Sequence, residues 1–114
     1  MPTRYYITLP ESTRARGSDP SLAFRAQGAE GFAEELQNAL TGDEFFERWR
    51  AMQPDPDEVD PGLAATDPDA RVTGEQDHMR INLVVVSRIP GTVLKHRLRL
   101  LAGSGWELRD VTAA

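Results

Sequence analysis

The sequence contains no cysteine. That removes disulfides, thiolate metal centres, iron–sulfur clusters and cysteine nucleophiles together, and leaves no positive sign of secretion. Histidine is scarce as well. Of the two, His78 lies at the mouth of a strand pattern, and His96 has no second metal-type ligand at i+3 or i+4 on its helix; neither makes a metal motif. Long apolar runs are missing: Leu83-Val84-Val85-Val86 is far too short to span a bilayer but suits a buried strand. The first residues, Met1-Pro2-Thr3-Arg4-Tyr5-Tyr6, lack the apolar core of a signal peptide, so the expectation is a cytoplasmic protein with no membrane partner. There is no G-x-S-x-G elbow, phosphate loop or dinucleotide fingerprint, and Gly103-Ser104-Gly105 reads as a helix stop. No catalytic residue, cofactor or metal is therefore predicted.

What is present describes an ordinary folded domain. A chain of 114 residues, 39% hydrophobic and 27% charged, is expected to form one domain, residues 1–114, around one core. The net charge of −5 is unevenly spread. Residues 1–29 balance at +2, residues 30–77 at −11 and residues 78–114 at +4. Such asymmetry favours either association with a charged partner or well-solvated acidic segments.

Arg4 to Leu9 alternates, with Tyr5, Ile7 and Leu9 on one face, and predicts a first strand ended by Pro10. Residues 10–21 gather proline, serine, glycine and charge and predict an exposed loop. Leu22, Phe24 and Ala26 alternate again, the pattern of a second strand or of a lead into the helix that follows. From Ala29 the period becomes helical through Phe32, Leu36, Ala39 and Leu40. Thr41-Gly42-Asp43 breaks that helix, and a short one from Asp43 to Met52 carries Phe45, Phe46 and Trp49. Residues 53–69, rich in proline and aspartate, predict a long acidic loop.

A weak strand from Ala70 to Gly74 leads into the strongest one, Met79 to Ser87, as a hairpin. A helix then carries Leu94, Leu98, Leu101 and Ala102, and Trp106 to Val111 closes the β-α-β unit of residues 80–112. This order predicts an α+β fold of the ferredoxin-like βαββαβ type. Its four-stranded antiparallel sheet carries helices on one face, with a short extra helix and the acidic loop as additions.

Three functional readings follow. The first is a non-enzymatic protein-interaction or regulatory module, a homodimer that contacts its partner through Phe45, Phe46 and Trp49 on the short helix or through Tyr6, Val84 and Val86 on the uncovered sheet face. The second is a small anion binder or enzyme using Arg14 and Arg16 of the 10–20 loop with Lys95, His96 and Arg99. Acylphosphatases, which share the plait, hold an anion in the matching loop, but their cradle of glycines is missing here. The third is an acidic partner of a basic protein, through Asp55, Asp57 and Asp60. RNA-recognition domains place stacking aromatics on the strand corresponding to Met79–Ser87; this one has none, so nucleic acid is not favoured as a partner.

Overall fold

The computed structural model describes residues 1–114. Strand β1 (Thr3–Leu9) is followed by helix α1 (Ala29–Thr41), helix α2 (Glu44–Ala51), strands β2 (Arg71–Asp77) and β3 (Arg80–Ser87), helix α3 (Gly91–Ala102) and strand β4 (Glu107–Ala113). The four strands form one antiparallel sheet in the order β2-β3-β1-β4, so β1 and β3 are central.

Alternation in the central strands dictates where the core sits. Tyr5, Ile7 and Leu9 of β1 and Ile81, Leu83 and Val85 of β3 are buried on one face. They meet Phe32, Leu36 and Leu40 of α1 and Leu94, Leu98 and Leu101 of α3 in a single cluster. Burying each of those α3 leucines contributes about 1.5–3 kcal/mol. The Tyr5 hydroxyl, at the margin of the cluster, donates to the Ile89 carbonyl at 2.8 Å.

Several local expectations are corrected. Of the two readings of residues 22–26, the lead into the helix holds and the strand does not: they run from a turn into the approach to α1. Their alternation has another cause. Leu22 and Phe24 are buried because the segment lies against α1 and the end of α3, with Phe24 edge-on to Phe32 at 4.8 Å. β2 runs to Asp77 rather than stopping at Gly74. His78 takes a left-handed conformation (φ 57°), which turns the hairpin tightly and leaves Met79 in the turn, 53% exposed, rather than in the strand core. β4 begins and ends later than expected, with a register shift between Tyr6 and Ile7 of its partner.

The connection over residues 53–69 contains two short 3-10 turns, Pro56–Glu58 and Pro61–Ala64. Asp67, predicted to lie on a solvated acidic surface, is buried. Its carboxylate accepts from Arg88 N–H at 2.9 Å, Ser87 Oγ at 2.8 Å and Asp69 N–H at 3.0 Å. The Arg88 N–H above all holds its pKa below the ordinary aspartate value against the opposing effect of burial.

A group whose native pKa is lowered contributes stability that is fully present above its unfolded pKa, near 3.9 for aspartate, and lost as pH falls through the native value. Asp67→Asn, which turns one of the two acceptor oxygens into a donor facing either the Asp69 N–H or the Arg88 N–H and Ser87 hydroxyl, is expected to cost about 1–3 kcal/mol at neutral pH. It should also flatten the fall in stability below pH ~4. Urea midpoints of both proteins, measured from neutral pH into acid, check this; parallel pH profiles would show that the carboxylate is not the group responsible.

Candidate functional site

The face of the sheet opposite the core is where the predicted surface residues come together. Strand register places them in rows. Arg71, Val86, Arg4 and Thr112 form one row across β2, β3, β1 and β4; Thr73, Val84, Tyr6 and Asp110 form the next; Glu75, Asn82, Thr8 and Glu107 form the third. Tyr6, Val84 and Val86 are half-buried at the centre, because neighbouring side chains on a pleated sheet shield them and no helix of the core cluster lies on this side. The third row is closed off by a hydrogen bond from Thr8 Oγ1 to Asn82 Oδ1, 2.9 Å.

Charge on this face is segregated by strand end. Arg4 and Arg71 stand at one end, while Glu75 and Glu107 stand at the other; beyond them Asp77 and Arg80 are register partners of opposite sign. Arg4, Arg71, Glu75 and Asp110 form no ion pair within the chain, whereas Glu107 is paired with Arg109 at 3.8 Å. The sequence showed the alternation of β1 and β3 but not this grid, which depends on pairings between segments about 70 to 110 residues apart.

The aromatic helix does not offer the surface expected of it. Phe45 and Phe46 are both buried, at 6% and 3% exposure. Adjacent aromatics are buried together because α2 is covered on two sides. Phe45 joins the main core, while Phe46 lies under the Arg97 guanidinium, 5.3 Å from its ring centre, and against Trp49. Trp49 is half-buried, with its ring 4.4 Å from that of His96 and roughly perpendicular to it.

The residues proposed for anion binding have other engagements. Arg14 is exposed and paired with Glu11 at 3.0 Å. Arg16 donates to the Ala26 carbonyl at 2.6 Å and lies over the Phe32 ring, and its Nη1 is sealed from solvent without a partner. Neither presents a convergent set of free donors. On α3, Lys95 and Arg99 are exposed. His96 is half-buried rather than solvated, and burial first, then Arg97 and Arg99, push its pKa below the ordinary histidine value. Arg97, beside them on the same helix, is wholly buried.

Of the acids read as a partner surface, Asp57 lies 3.6 Å from Arg50 and Asp60 accepts from Gly62 N–H at 2.8 Å. An open cleft of about 490 Å³ between residues 21–25, the end of α1 and the start of α2 carries Arg25 and Arg48 together with Glu35 and Glu44. Those charges cancel in sum. No group of three or more histidine, aspartate or glutamate side chains is placed to hold a metal ion. No protein-family model, curated protein or solved structure matches the chain.

Proposed function

We propose that this chain is a protein-interaction module with the ferredoxin-like βαββαβ plait, and that it associates with a second copy of itself through the open face of its sheet. The plait is supported by the antiparallel order β2-β3-β1-β4, in which the central strands β1 and β3 each lead into a helix of the core, α1 and α3, and the edge strands β2 and β4 come next along the chain. One observation carries the functional reading: half-buried Tyr6, Val84 and Val86 occupy the centre of a face that carries opposite charge at its two ends. Covering apolar side chains drives association, while the charged ends favour a partner of opposite polarity.

The size of the face bounds the affinity. Four strands at about 4.8 Å spacing and seven residues at about 3.3 Å rise give a face of about 19 by 23 Å. Stacking two of them buries on the order of 500 Å² per copy, at the low end of specific interfaces. A reversible dimer in the micromolar range is therefore expected.

Sedimentation velocity across a micromolar concentration series tests the reading, with Val84→Glu as the disrupting variant. A carboxylate at the centre of the face is expected to leave the far-ultraviolet circular dichroism unchanged and weaken self-association by at least about tenfold, because a charge would be desolvated there without a partner. A wild-type chain that stays monomeric throughout the series, or a Val84→Glu chain that associates like wild type, overturns the proposal.

A further inference from the structure

Stacking two identical sheets face to face leaves two simple twofold arrangements, and the charge grid distinguishes them. An axis along the strands places like ends together: Arg4 and Arg71 of one copy approach the same arginines of the other, and Glu75 lies over Glu107. Like charges opposed across an interface cost several kcal/mol. An axis across the strands, through the row of Thr73, Val84, Tyr6 and Asp110, reverses one copy end for end. Arg71 then lies over Glu75 of the other copy, and Arg4 comes within one strand spacing of its Glu107. Val84 and Tyr6 each meet their own counterpart on the axis. Asp110 also meets its counterpart at the β4 edge, where water and salt screen that repulsion as they screen the edge-strand Glu75–Glu107 contacts of the other arrangement; one like-charge contact then stands against two, and only this arrangement adds contacts of opposite charge.

Resting on the reading of the open face as a self-association surface, we infer that the dimer's twofold axis runs across the strands. Arg71 then pairs with Glu75 of the second copy, and Arg4 with Glu107. The absence of any ion pair within the chain for Arg4, Arg71 and Glu75 is consistent with this, since all three keep their charge available to a partner. Glu107 already pairs with Arg109 at 3.8 Å, so Arg4 shares that carboxylate, and the Arg71–Glu75 contact contributes the larger part of the orientation.

Three charge variants test the geometry. Arg4→Glu with Arg71→Glu puts acid against acid, and Glu75→Arg with Glu107→Arg puts base against base. Each pair is expected to weaken self-association by about tenfold or more at low salt. All four changes in one chain reverse the polarity of the face and should restore association to within about threefold of wild type.

With an axis along the strands, reversing one end merely exchanges one like-charge contact for another, and affinity stays as in wild type. If wild type associates, Val84→Glu dissociates it, and both double variants keep wild-type affinity, the face is right and the orientation is overturned. If wild type is monomeric or Val84→Glu has no effect, the interaction surface itself fails, and the orientation with it. Circular dichroism of each variant confirms that a lost dimer reflects the interface rather than the fold.

Discussion

Replacing Arg97 by alanine is expected to destabilise the protein by about 3–5 kcal/mol, because three carbonyls lose their donor and a buried space opens. The side chain is wholly buried. Its Nε donates to Ala39 O at 3.3 Å, Nη1 to Leu63 O at 2.8 Å and Nη2 to Ala65 O at 3.2 Å. No carboxylate pairs with it, and burial lowers its pKa. A guanidinium nonetheless stays charged in proteins, so carbonyl dipoles and the Phe46 ring take the place of a counterion.

Ala39 lies in the last turn of α1, whose terminal carbonyls have no partner within the helix and carry the negative end of its dipole. Leu40 O, next to it, accepts from Asp67 N–H at 2.8 Å. Arg97 and Asp67 thus tie the end of α1 to the connection that follows α2.

A series of substitutions separates these contributions. Arg97→Met keeps much of the volume but removes every donor, and should cost about 2–3 kcal/mol. Arg97→Lys keeps the charge as a single point without the fork, so it should fall between Met and wild type. Urea denaturation gives the order. For a domain of this size, a loss of about 3 kcal/mol lowers the melting temperature by roughly 12 °C or more. An alanine variant within about 1 kcal/mol of wild type, well under the expected loss, would show that water reaches the carbonyls and that the side chain is not their only donor.

Arg97 also shows where reading a sequence by residue type goes astray. Its position, three residues after Leu94 and four before Leu101, lies on the buried stripe with Val93, Leu98 and Ala102. Its chemistry and its neighbours Lys95, His96 and Arg99 argue for the outside, and only the leucines three residues before and four after it argue for the inside. It lies inside, where Ala39 O at the end of α1 and Leu63 O and Ala65 O in the connection after α2 take its donors.

Where a local pattern and a local cause coincided, the reading held. Alternation gave the core faces of β1 and β3, and helical spacing gave the α1 stripe of Phe32, Leu36 and Leu40. Asp67 was not legible because its partners, Ser87 and Arg88, lie 20 and 21 residues away and no periodic signal links them. Phe45 and Phe46 misled for a related reason. A short helix covered on two sides buries adjacent positions, whereas amphipathic spacing allows for one stripe. At the candidate interface, the identities of Tyr6, Val84 and Val86 were readable, but the opposed charged ends required the strand register.

The 10–20 loop yields the second large effect, and Gly17→Ala is expected to cost roughly 2–5 kcal/mol. Read as a possible anion loop, this segment instead packs backbone against backbone on the end of α3. Gly17 N–H and Phe24 N–H both donate to Leu101 O, at 3.0 and 2.8 Å, using both lone pairs of a terminal helix carbonyl. A methyl group at residue 17 would run into the carbonyl oxygen of Leu100, which is backbone and cannot swing aside.

The turn that follows α3 also lies close against the loop. Gly103 holds a left-handed conformation (φ 63°), and a Cβ there would stand 2.9 Å from Arg16 O; one on Gly105 would stand 2.9 Å from the Ala15 Cα. The loop can therefore make room for a methyl group only by lifting off the end of α3. Displacing it would break both hydrogen bonds to Leu101 and uncover Ala15, Leu22 and Phe24, all buried. Gly42→Ala is the matched control: nothing lies within 4 Å of its Cβ position and its φ of −132° is open to any residue, so stability should hold or rise by about 0.4–1 kcal/mol. Urea midpoints of the two variants should therefore move in opposite directions or differ by the full clash. Equal midpoints would mean that the loop does not pack backbone against backbone on the end of α3.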